Sequence, residues 1–193
     1  MATTSVQEPL AQRLKSRLLV LAALVGSMWL LLLLPLPVRE QLGIRSGAMA
    51  GLIGIPLAPF LHGDLTHLAS NTLPFAVLGA LVLLRSWREF ILVSLLVTLG
   101  SGLGAWWFGQ PGQVHLGASG LIFGYFAFLV ARGLLERTLV SVAVALAVGF
   151  YYGGLVWQVF PRDGHISWQA HFFGLLSGLV SAWLVVRKRR STH

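Results

Sequence analysis

The chain reads as an all-α membrane protein, a bundle of six transmembrane helices, and three observations predict it. Of 193 residues, 56% are apolar and only 10% charged, whereas a soluble domain carries about 25% charged residues. So few charges cannot clothe a water-facing surface, so most of the solvent must be lipid. The charges that do occur bound apolar runs of spanning length, and the basic ones gather on alternate connections. The net charge of +8 lies between runs rather than along one face, which argues for membrane topology and against a nucleic-acid partner. There is no cysteine, so disulfides, thiolate metal sites and a cysteine nucleophile are excluded.

A spanning helix needs about 20 apolar residues. Arg17 to Arg39 encloses 21 uncharged residues, ending at Pro35 and Pro37, and Asp64 to Arg85 encloses 20. Glu89 to Arg132 encloses 42, which the segment Gly109-Gln110-Pro111-Gly112-Gln113 divides into two spans. Arg137 to Arg162 encloses 24 and Asp163 to Arg187 encloses 23. The uncharged stretch Ser46 to Gly63 holds four glycines and two prolines. Proline lacks a backbone donor and glycine weakens a helix, so a straight lipid-facing span is not expected there. The stretch is read as part of a first outer loop, 36–64, lying in the interface or dipping partway in.

Six spans place eleven of the fourteen lysines and arginines on one side, with Arg39, Arg45 and Arg162 on the other. The positive-inside rule then predicts both termini in the cytoplasm. Trp106, Trp107, Trp157 and Trp168 fall near the outer interface, as an aromatic belt would. The expected organisation is a cytoplasmic segment 1–17, a membrane domain 18–187 and a basic tail 188–193.

Ionisable and strongly polar groups inside spans are costly and point to function. His67 and Asn71 open the second span, Ser119 the fourth, and His171 lies near the start of the sixth. Even-numbered spans all run inward, so these residues share one depth near the outer surface. Ser119 sits in Gly117-Ala118-Ser119-Gly120, where flanking glycines permit close approach. A serine hydroxyl needs a base to become a nucleophile, and the His171 imidazole suits that role near neutral pH. No Asp or Glu is expected within a span, so a dyad is predicted rather than a triad. Gly120 and Gly124, and Ala170, Gly174 and Gly178, form stripes of small residues that would let the fourth and sixth helices meet closely. His67 and Asn71, spaced i, i+4, share a helix face. They suit stabilisation of an oxyanion, with the Ser119 backbone N–H beside them, or simple hydrogen bonding between helices.

A three-histidine metal site of His62, His67 and His171 is the weaker reading, because no His-Glu-x-x-His pattern and no intramembrane carboxylate base accompany it. No metal or cofactor is expected. His115 and His165 are read as solvated loop residues. Gly100-Ser101-Gly102-Leu103-Gly104 lacks the lysine of a phosphate loop and reads as close packing.

With these residues in hand, the chain resembles the rhomboid family of intramembrane serine proteases. His62 to Asn71 resembles the family's His-x4-His-x3-Asn stretch, Gly117-Ala118-Ser119-Gly120 its Gly-x-Ser-Gly motif, and Ala170-His171-Phe172-Phe173-Gly174 the motif supplying the base. The resemblance spans about residues 15–190. It implies a rhomboid-like six-helix bundle in which Ser119 attacks a substrate carbonyl and His171 serves as base, then acid. Asn71, His67 and the Ser119 N–H would hold the oxyanion. It further implies that Phe123 packs on the catalytic histidine, that His62 is structural, and that the fifth helix and its preceding outer loop form a substrate gate. A Trp-Arg pair that some members carry in the first outer loop is replaced here by Ile53-Gly54.

The expected activity is therefore endoproteolysis of other proteins' transmembrane segments, in a multi-pass protein of a bacterial-type plasma (inner) membrane whose active site faces the outer side. A non-catalytic binder of membrane segments and a small transporter are the competing readings. The inner halves of the spans, nearly all Leu, Val, Ala and Phe, count against a transporter.

Overall fold

The computed structural model describes residues 9–161 and 167–190. The expectations for Arg162, Asp163 and His165 lie outside these residues. Helices begin where short polar side chains can satisfy free backbone N–H groups. Asp64 caps α4 (Leu65–Arg85) through the His67 N–H at 2.8 Å. Ser86 caps α5 (Trp87–Phe108), and Thr138 forms a reciprocal capping box with Ser141 at the start of α7 (Leu139–Tyr152). The remaining long helices are α1 (Leu10–Leu31), α6 (Ser119–Glu136) and α8 (Trp168–Arg190). A 3-10 segment, Gly153–Val159, extends α7, and with it six helices are long and apolar enough to cross a membrane.

The connection between α1 and α4, expected as the first outer loop, is ordered rather than irregular. It contains α2 (Leu36–Leu42), a strand β1 (Ile44–Arg45), a 3-10 turn Met49–Ile53, the single turn α3 (Gly54–Leu57) and a second 3-10 turn, Ala58–Phe60. None of these is long enough to cross a membrane, which fits the glycine and proline content of 46–63. β1 pairs antiparallel with β2 (Val114–His115), Ile44 opposite His115 and Arg45 opposite Val114. That pairing ties the loop to the turn preceding α6.

α6 is the central helix. It is buried along most of its length and packs on α4, α5, α7 and α8, while α1 leans on α4 from outside. The contact of α6 with α8 is the closest in the bundle. A Cβ on Gly174 would strike the Gly120 carbonyl, and one on Gly178 would strike the Gly124 carbonyl. The predicted small-residue stripes thus lie backbone to backbone, as helices approach in membranes. Gly100 and Gly104 likewise receive Ser177 and Phe173 of α8, and Gly102 receives Ile55, so the glycine-rich run of α5 is packing surface.

α4, α6 and α8 run parallel, with their starts at the end of the bundle that carries the β pair. At the opposite end, where the sequence marks only basic connections between spans, an ion network forms around the buried Arg132. Arg132 pairs with Glu89 and, at 2.7 Å, with Glu136. Arg189 reaches Glu89 at 2.6 Å and Arg85 reaches Glu136 at 2.7 Å. Glu89, the boundary charge of the third span, lies in the first turn of α5, and Glu136 ends α6, so both carboxylates sit at helix ends. Each is tolerated because arginine neutralises it inside the protein.

Candidate active site

Ser119 is the first residue of α6, so its own N–H has no acceptor within the helix. The chain reaches it through Gly117 at φ +117°, a conformation that side chains other than hydrogen rarely adopt. Space forbids a side chain at Gly117 as well, because a Cβ there would lie 2.7 Å from Nε2 of His67. The Gly117 N–H donates to the Ala58 carbonyl at 2.9 Å, which anchors this turn on the connection between α1 and α4.

His171 is buried on the first turns of α8. Its ring stacks on Phe123 with centroids 4.2 Å apart and planes 6° from parallel. Phe123 is four residues after Ser119 on α6, so the stack brings the imidazole over the helix face that carries Ser119. His171 Nδ1 lies 3.0 Å from the Gln158 carbonyl. A carbonyl only accepts, so Nδ1 carries the proton and Nε2 keeps its lone pair.

Ser119, His171, His67 and Asn71 line one cavity of about 440 Å³, along with Phe123, Gln158 and Pro74. Three helices distant in sequence thus supply the four predicted polar residues to one space. Ser119 and His171 both line this space; among the described residues no hydrogen bond joins them. Pro74 has no N–H to offer the Ser70 carbonyl, and both residues line the cavity.

Asn71 gives one amide proton to the His67 carbonyl at 2.8 Å, which fixes its χ angles and leaves its second proton available. Asp64 also lines the cavity, yet it accepts the His67 N–H, which lowers its pKa and keeps it ionised as a helix cap. His62 is fully buried and meets the His67 ring edge-on, centroids 5.0 Å apart. Burial pushes its pKa down to about 4, so it is a neutral packing partner at physiological pH. Gly120 and Gly174 hold α6 and α8 together directly beneath Ser119 and His171. Among the described residues no three His, Asp or Glu side chains converge as metal ligands do.

Three contributors escaped the sequence reading. Arg39 is buried, and its guanidinium donates to the carbonyls of His62, Gly63 and Leu34, so it braces the loop ahead of α4 rather than merely marking topology. His115 is buried and not solvated; its Nε2 lies 2.7 Å from Ser46 Oγ, whose own proton goes to the Ala105 carbonyl at 2.8 Å. Gln158 acts through its backbone carbonyl, which no side-chain pattern reveals.

Comparison with known proteins identifies the family of the chain. The Rhomboid domain matches residues 49–188. An uncharacterized protein of Mycobacterium leprae is 40% identical over 159 residues, covering 78% of this chain and 63% of the relative. One from Mycobacterium tuberculosis is 38% identical over 159 residues, covering 78% of this chain and 66% of the relative. Rhomboid-like protein 11, chloroplastic, of Arabidopsis thaliana is 29% identical over 147 residues, covering 66% of this chain and 50% of that one. The matched stretch is therefore just under two thirds of the length of the mycobacterial relatives. With six membrane-length helices and a Rhomboid domain over most of its length, the chain is a multi-pass integral membrane protein belonging to the rhomboid family.

Proposed function

We propose that this protein is an intramembrane serine endopeptidase that cuts transmembrane segments of other membrane proteins with a Ser119–His171 dyad. The observation that carries the reading is the single cavity shared by Ser119, His171, His67 and Asn71, with the His171 ring held flat on Phe123. In the proposed cycle, His171 Nε2 takes the Ser119 proton as Oγ attacks the scissile carbonyl. The free Asn71 amide proton, His67 and the Ser119 N–H receive the oxyanion. His171 then protonates the leaving amine, and water releases the acyl group by the same steps in reverse order. The Gln158 carbonyl does the orienting that a carboxylate does in a triad, holding the tautomer but adding no full charge.

The lysine and arginine distribution supports cytoplasmic termini and a site opening to the outer side of a bacterial-type inner membrane. Hydrolysis needs water, and a cavity at the helix starts can receive it from that side. A substrate helix hides its carbonyls in backbone hydrogen bonds, so segments that unwind readily near their outer end should be preferred.

The test is cleavage of a model single-span substrate in liposomes. Ser119→Ala and His171→Ala should each lower turnover by about 10⁴-fold or more, and Asn71→Ala by about 10²–10³-fold. A chelator should have no effect. Retained cleavage in either dyad variant refutes the mechanism. Failure of a fluorophosphonate to label Ser119 in folded protein favours a non-catalytic binder of membrane segments.

A further inference from the structure

The end of the bundle away from Ser119 carries more arginine than its own carboxylates neutralise. Glu89 and Glu136 are both taken up by Arg132, Arg189 and Arg85. Arg13 and Arg17 stand four residues apart on α1, so they project from one face. Neither has a carboxylate partner among the described residues. Arg17 Nη1 donates to the Leu84 carbonyl at 2.5 Å, which pins its guanidinium against the end of α4. Ser16 donates its hydroxyl proton to the Arg13 carbonyl at 2.9 Å, leaving its oxygen lone pairs and the Arg13 side chain uncommitted.

These residues line a cleft of about 490 Å³, together with Val20 and Trp87, the first residue of α5. Trp87 is 42% exposed, with an apolar ring and a polar N–H, the combination that favours the boundary between hydrocarbon and headgroups. Beside the cleft, α1 exposes Leu10, Leu14 and Leu18. The cleft thus joins a cationic pocket to an uncovered apolar strip.

We propose that this cleft binds the headgroup of an anionic phospholipid, its phosphate on Arg13 and Arg17 and its acyl chains along the exposed leucines of α1. Two guanidiniums present parallel donors that match phosphate oxygens. The net positive charge left after Glu89 and Glu136 are paired attracts an anion to this end. The apolar strip favours a lipid over free phosphate, which would leave those leucines without a partner from the same molecule.

The test uses the full chain in neutral detergent, titrated with phosphatidylglycerol or phosphatidylcholine and read by native mass spectrometry. Wild type should retain phosphatidylglycerol in preference to phosphatidylcholine. Arg13→Gln/Arg17→Gln should weaken phosphatidylglycerol retention by about tenfold or more, and the double lysine variant should recover part of it. Arg13→Gln alone disturbs no side-chain bond and should cost about fivefold, which keeps the test alive if the double variant misfolds. Arg187→Gln removes the same charge from α8 and should change retention by less than about twofold. Unchanged retention in the folded Arg13 variants overturns the site. So does an equal loss in Arg187→Gln, which would mean diffuse attraction, or displacement of the lipid by inorganic phosphate.

Discussion

His115 joins β2 to α5 through two hydrogen bonds in series that share the Ser46 hydroxyl. Ser46 gives its only proton to Ala105, so it accepts from His115 Nε2–H, and the buried Nδ1 is left bare. Burial pushes the His115 pKa down to about 4, against an ordinary value of 6.5. The unfolded chain therefore binds the proton first as pH falls. Stability is fully present above pH 6.5, declines as pH falls between 6.5 and 4, and loses nothing more below that from this group. The full effect is on the order of 3 kcal/mol. Thermal melts of the detergent-solubilised protein should therefore show a smaller drop from pH 7 to pH 4.5 in His115→Gln than in wild type. Equal drops would contradict the assignment. Single residues differ in how far sequence betrays them. Ser119, His171, His67 and Asn71 were legible because a polar side chain within an apolar run needs a reason. Arg39 and His115 were not, because a loop charge or loop histidine is usually solvated and only the folded loop encloses them. Gln158 was invisible because its contribution is a carbonyl that every residue has.

At the level of elements, the α6–α8 contact sets the site. Gly178 lies two turns beyond His171, away from the cavity, and faces the Gly124 carbonyl. A branched side chain there meets backbone that cannot rotate away. Gly178→Val should destabilise the protein toward the upper end of about 1–3 kcal/mol and lower cleavage in parallel. A wild-type melting temperature in that variant would show that the helices are not held at this distance. The six spans were legible from bounding charges and apolar length, and the break at 109–113 falls between α5 and β2. Helix ends were less so. α1 starts at Leu10 and α8 continues to Arg190, through several lysines and arginines, because these residues favour helix and carry their charge to the interface on long stems. The turns and the strand between α1 and α4 were not legible because two-residue strands and single helical turns have no periodicity to detect.

For the whole molecule, the ion network balances the site at the other end of the same helices. Arg132 is almost fully buried and joins α6 to α5 and, through the shared glutamates, to α4 and α8. Arg132→Met takes the buried cation from both carboxylates and leaves Glu89 and Glu136 only the more exposed Arg189 and Arg85, which should cost about 3 kcal/mol, read by unfolding in mixed micelles. Replacing Glu89, Arg132 and Glu136 together with Gln, Met and Gln should recover much of that loss, since an uncharged set leaves no carboxylate without its cation. If the triple variant were no better than the single one, the network would be contributing something other than mutual neutralisation.

The Gln158 carbonyl belongs to the 3-10 extension of α7, a helix that buries little of its own surface. On the proposed mechanism, an incoming polypeptide that wedges α7 aside also slackens the tether on the His171 imidazole. Admission and proton transfer would then be mechanically linked, and the base would regain its aim only once the intruder had settled and the segment had closed behind it.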